Sequence, residues 1–124
     1  MVYRRLARAV AADISDYAES GFTVIGIVGV GASPSCGVAT TLDLRRSFDV
    51  MANTAPEGLD RRAVNREVVL AARRVGTGIF IATLERQLRR RGLDVPLFEH
   101  DLALEMRGAH QRVLDVPVRA TRGR

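Results

Sequence analysis

The stretch Phe22-Thr23-Val24-Ile25-Gly26-Ile27-Val28-Gly29-Val30 runs nine residues with no charge and no polar alternation. An apolar run of that kind reads as a parallel strand buried on both faces. It is followed by Gly31-Ala32-Ser33-Pro34-Ser35-Cys36-Gly37, a loop of small, turn-forming residues that holds the only cysteine of the chain. Ligands in open α/β sheets gather at the carboxyl ends of such strands. The order of residues therefore puts a sulfur where a site would lie.

The flanking segments supply helices. Residues 3–19 place Leu6, Val10, Ile14 and Tyr17 at spacings of four, four and three, with most charged side chains on other faces, and this predicts an amphipathic helix. Gly21 follows, where a left-handed cap is common. Residues 38–60 have poor periodicity and a turn-rich stretch (Asn53, Thr54, Pro56, Glu57, Gly58), and read as a long loop with one short helix. Asp60 is placed to cap a helix over 61–75 with Val64, Val68, Ala71, Ala72 and Val75 as its buried stripe, ended by Gly76. Thr77 is placed to cap a second helix over 78–91, with Phe80, Ile81, Leu84 and Leu88 on one face and Gly92 at its end. A short strand is expected over 93–98, with Pro96 arguing for an edge or strand-end position, and it leads into Glu99-His100-Asp101. Residues 108–124 have weak periodicity and read as an Arg-rich, frayed C-terminal tail after a partial α/β domain over 1–107.

Composition narrows the function classes. A chain of 124 residues is one domain or part of one, and its hydrophobic fraction of 47% and charged fraction of 27% exclude wholesale disorder. The net charge of +5 points on its face to an anionic partner. All nineteen basic residues are Arg, however, spread as pairs and triplets along helices, and aromatics are only 5% of the chain, so few are present to stack on bases. No nucleic-acid partner is expected. One cysteine cannot make an internal disulfide, no export-signal pattern is visible, and the longest apolar run falls short of the roughly twenty residues a membrane helix needs. The expectation is a cytoplasmic protein with no membrane segment.

Ser33-Pro34-Ser35-Cys36-Gly37 after a Gly-rich apolar strand resembles the signature of the TudS-type desulfidases (2-thiouracil desulfurase-like), in particular their TudS-related branch. The resemblance continues through Gly76-Thr77-Gly78-Ile79-Phe80 to Glu99-His100-Asp101, and so covers roughly residues 20 to 101. It implies an α/β, three-layer fold in which a parallel sheet carries helices on both faces, of which this chain is an incomplete, C-terminal part. It implies an activity that replaces the thio group of a small thiolated molecule, such as a thio-nucleobase, by oxygen. In that family three cysteines hold a [4Fe-4S] cluster and leave one iron open to the substrate sulfur. By the same resemblance Cys36 matches a cluster ligand and Ser33 the serine beside the substrate, with Pro34 and Gly37 shaping the turn and Ser35 bonding loop backbone or a cluster sulfide.

The chain departs from the family in lacking its other two cysteines and the acidic catalytic residue beside one of them. A cluster of this type takes three or four protein thiolates, so this chain alone is expected not to bind one and to be inactive. A fragment, a split gene whose partner supplies the rest, and a degenerate member remain open. Only two strands are legible, too few to bury the helices, which favours a missing N-terminal segment or a complementing chain. Two other readings stay beside it: a non-catalytic α/β module in which Cys36 is a buried inert thiol, and an enzyme whose Cys36 nucleophile is activated by His100, with Glu99 or Asp101 orienting the imidazole. His110, in the weak tail, is a poorer candidate. Gly76-Thr77-Gly78 is no dinucleotide fingerprint, since it follows a helix and lacks a third glycine, and no cluster has zinc spacing.

Overall fold

Aspartates start three of the helices. In the computed structural model, which describes residues 2–53 and 60–121, the carboxylate of Asp43 accepts from Arg46 N at 2.9 Å, Asp60 from Arg62 N at 3.0 Å and Asp101 from Ala103 N at 2.9 Å. Each satisfies an amide that a first helical turn leaves without a partner.

The elements in chain order are α1 (Val2–Glu19), β1 (Ile27–Val30), β2 (Thr40–Leu42), α2 (Leu44–Ala52), α3 (Arg61–Ala72), β3 (Arg73–Val75), α4 (Ile79–Arg90), β4 (Pro96–His100), α5 (Leu102–Met106) and β5 (Arg119–Ala120). Among the described residues they form a mixed α/β architecture of five helices, a three-stranded sheet in the order β1-β4-β5, and a separate antiparallel pair, β2-β3. β1 runs parallel to β4, with Ile27 opposite Leu97 and Val30 opposite His100, and β5 is antiparallel to β4. No helix of the described residues is long and apolar enough to cross a membrane.

Two small cores lie beside this sheet. In one, Ala7 and Ala11 of α1 meet Leu84 and Leu88 of α4, with Ile27 packed against them. In the other, Val38, Ile81 and Leu97 pack together and fix α4 onto the sheet. The buried face of α1 is therefore set by its alanines, while Leu6 and Tyr17 of the expected stripe are exposed. Val10 and Ile14 of that stripe pack against the same core, so half of the expected face is partly buried and the alanines complete it.

Several expectations are corrected. The strand after Gly21 is parallel, but it is confined to Ile27–Val30 and is not buried on both faces: Ile25 is 70% exposed, Val28 51% and Phe22 65%. The helix expected over 61–75 stops at Ala72, and Arg73–Val75 pair with β2 instead, leaving Val75 91% exposed. The loop expected over 38–60 contains β2 and α2. Pro96 stands at the first residue of the central strand, so its strand-end reading holds and its edge reading does not. The 108–124 segment does not simply fray, since β5 returns to the sheet and Thr121 is fully buried. Thr54, Pro56, Glu57, Gly58, Arg122 and Arg124 lie outside the described residues.

Candidate functional site

The loop that follows β1 is closed on itself and then clamped from three sides. Cys36 O accepts from Val30 N at 2.9 Å and Ser33 O from Gly37 N at 3.2 Å, while Ser33 Oγ accepts from Cys36 N at 3.0 Å. The serine hydroxyl thus completes a tight turn around Pro34, as serines do in turns.

The first clamp is α4. Gly78 N donates to Gly37 O at 2.8 Å, Ile79 N to Pro34 O at 3.0 Å, and Phe80 N and Ile81 N both to Ser35 O at 3.0 and 3.2 Å. The amides that a helix start leaves orphaned are thereby spent on loop carbonyls, and none of these four is free for an anion. Gly78 is what lets the two backbones meet, because a β-carbon there would collide with the Ser35 carbonyl and stand 2.8 Å from Cys36 N. Thr77, expected as the cap, instead donates its hydroxyl to Val38 O at 3.0 Å.

The second clamp is Glu99 at the end of β4. Its carboxylate accepts from Ala39 N at 3.2 Å, Thr40 N at 3.1 Å and Thr40 Oγ1 at 2.9 Å. Thr40 Oγ1 in turn accepts from Ala32 N at 2.9 Å. Ala32 has φ 59°, a left-handed conformation that disfavours a β-carbon by about 1 kcal/mol. Its methyl is buried against Val69 and Ala103, which offsets the strain.

The third clamp is Arg119 of β5. Its guanidinium donates to Val38 O at 2.9 Å and Thr77 Oγ1 at 3.1 Å, and pairs through Nε and Nη2 with Glu85 of α4, whose side chain is 7% exposed. Arg89 adds a contact to the same carboxylate at 3.3 Å. Burying a carboxylate without such partners would be costly.

Within this frame the side chains of Ser33, Ser35 and Cys36 come together. Ser33 Oγ lies 3.4 Å from Ser35 Oγ, which lies 3.5 Å from Cys36 Sγ, and the thiol is only partly buried. Hydroxyls placed this way orient a sulfur and can donate to it when it is ionised. His100 and Asp101 are engaged elsewhere: His100 Nε2 bonds Glu105 Oε2 at 2.8 Å, and Asp101 caps α5 and pairs with Arg73 at 3.1 Å. His110 is exposed and lines a shallow outer cavity with Asp101 and Gln111. Two further cavities, of about 340 and 510 Å³, lie between α3 and α5, away from Cys36.

Thr40, Glu85 and Arg119 support this loop and were not singled out from the sequence. Thr40-Thr41 is a β-branched pair of the kind strands favour, a short signal within a segment of poor periodicity. Arg119 gives no local signal, since its partner Val38 is 81 residues away in sequence.

Cys36 is the only cysteine, and among the described residues no group of three or more His, Cys, Asp or Glu side chains is placed to hold a metal ion. These residues do not by themselves fit a [4Fe-4S] cluster, whose ligands are several thiolates. The chain matches no known family model, no curated protein and no solved structure.

Proposed function

We propose that this chain is one part of a desulfidase-type centre, to which it contributes a single thiolate, Cys36, and a hydroxyl, Ser33, on the substrate side. A further segment or a second polypeptide brings the remaining thiolates and acid group and completes the sheet. The observation that carries the reading is the loop itself: its Pro34, Ser35 and Gly37 carbonyls are taken up by the start of α4, while Ser33, Ser35 and a partly buried Cys36 are grouped at the carboxyl end of a parallel strand. That is the position where α/β sheets place ligands. A thiol beside the Ser35 hydroxyl and partly open to solvent differs from the buried, inert cysteine of a purely structural module.

In this proposal the full fold is three-layered, with further parallel strands added beyond β1. Its edge, unpaired among the described residues, and the exposed Ile25 and Val28 supply the support, because parallel sheets are covered on both faces. Ser33 Oγ accepts from Cys36 N and shares a proton with Ser35 Oγ, and in the proposal a substrate acceptor takes that proton when it binds. A hydroxyl of ordinary acidity orients such a group and does not protonate it, so the proton transfers fall to the missing acid. The substrate is a small thiolated molecule, and the site of action follows the cytoplasmic expectation.

Anaerobic incubation with iron and sulfide tests the proposal. The chain alone is expected to show no thiolate-to-iron charge-transfer absorbance, and the chain combined with a thiolate-bearing segment encoded next to it is expected to show one that Cys36→Ser abolishes. Stable cluster uptake by the chain alone would refute its incompleteness. An unchanged spectrum in the combined Cys36→Ser variant would remove Cys36 as a ligand.

A further inference from the structure

A cavity of about 340 Å³ opens between α3 and α5, away from the Cys36 loop. Its floor is Val69, Ala103 and Met106, and Leu70 forms part of its wall. A neighbouring cavity of about 510 Å³ continues it and shares Arg66 and Met106. Volumes in this range are those of small-molecule sites. The same floor packs against Ala32 through the core cluster that joins Ala32, Val69 and Ala103.

Among the described residues, the only charged ones lining the 340 Å³ cavity are arginines. Arg66 of α3 and Arg107 just beyond α5 both line the cavity, and neither guanidinium makes an ion pair or side-chain hydrogen bond among the described residues. Arg62 lines the continuation. One carboxylate, Glu105, also lines the continuation, where it bonds His100 Nε2 at 2.8 Å. An apolar floor under two uncompensated guanidiniums suits a ligand with an apolar body and one anionic head, since arginine forks bind carboxylate in a bidentate geometry. A neutral ligand would leave the rim charges unanswered, and a cation would be repelled.

We propose that the α3–α5 cavity binds a small amphiphilic carboxylate, its apolar body on Val69, Ala103 and Met106 and its head between Arg66 and Arg107. The site is separate from the Cys36 loop and does not require that loop to be catalytic. Exposed apolar residues elsewhere, Phe22 and Ile25 in particular, also attract amphiphiles, so the test must report location.

Titration of the isotope-labelled full chain with decanoate below its micellar concentration, followed by backbone amide NMR, provides this. The expected result is saturable binding of one molecule, with shifts centred on residues 66–70 and 103–107. Decanol is expected to bind at least tenfold more weakly and decylammonium not at all. Arg66→Gln combined with Arg107→Gln changes only exposed side chains, and should weaken decanoate at least tenfold, the effect of losing charge-assisted contacts. Leu70→Asp, at an exposed wall position, should weaken it similarly while the amide spectrum stays folded. The proposal is overturned by non-saturable binding, by shifts centred on residues 22–30, by equal affinity for decanoate and decanol, or by unchanged affinity in the arginine double variant.

Discussion

At Gly37 an added β-carbon would run into Thr40 O and stand 2.9 Å from Ser33 O, both of them backbone atoms, the second held by Gly37 N and Thr41 Oγ1. No side-chain rearrangement relieves that contact. Gly37→Ala is therefore expected to destabilise the chain by about 2 kcal/mol, the usual scale of overpacking, and to raise the accessibility of Cys36 to a thiol reagent as the loop is pushed off α4. A urea denaturation and the rate of thiol modification check both parts; an unchanged midpoint with unchanged thiol reactivity would show that the loop is not held as described. Glycine here was legible as a turn residue beside the cysteine. Which atoms it must avoid was not, because Thr40 reaches the loop only after β2 has formed and Glu99 has bound its amide.

Among the elements, β5 is the smallest and the least visible in sequence. Two paired residues are too few to carry a periodic pattern, and their retention rests on side chains at their ends. Thr121, fully buried, donates to Leu93 O at 2.6 Å and accepts from Val95 N at 2.8 Å. Thr121→Val keeps the volume and deletes the hydroxyl, leaving both backbone groups without partners. About 2 kcal/mol of stability should be lost, seen as a lower urea midpoint at constant slope, whereas Thr121→Ser should retain most of it. Equal stability of the valine and serine variants would sink the account. The helices were easier to read. Asp60 gave the start of α3 correctly, yet its end moved from Val75 to Ala72 because residues 73–75 found a β2 partner that no local pattern announces. For α4 the cap came from the loop backbone, so a search for a capping side chain pointed to Thr77 when the N-cap is Gly78.

For the whole molecule the conspicuous fact is the open side of β1. The strand pairs only with β4 among the described residues, and its uncharged approach, from Phe22 to Gly26, carries exposed apolar side chains. Exposed apolar edges of this kind are templates for association. The isolated chain should show concentration-dependent growth in light scattering. Ile25→Lys together with Val28→Lys should suppress it with the melting temperature held within about 3 °C, because both side chains already face solvent. Scattering that is unaffected by the two lysines would place the sticky surface elsewhere.

The sequence alone determined what depends on neighbours a few residues apart: the amphipathic period of α1 and α4, the aspartate at the start of α3, and a parallel strand leading into a tight loop around Cys36. Those features follow from helix period, capping and turn chemistry, which act over one or two turns of chain. Tertiary structure decided which face of α1 is buried, that Pro96 begins a central strand, that residues 73–75 and 119–120 become strands, and that Glu99 and Arg119 hold the cysteine loop while His100 turns to Glu105. Each of these is fixed by a partner distant in sequence or by another element's surface, and a side chain or strand chooses between competing partners only once the fold has brought them within hydrogen-bonding distance.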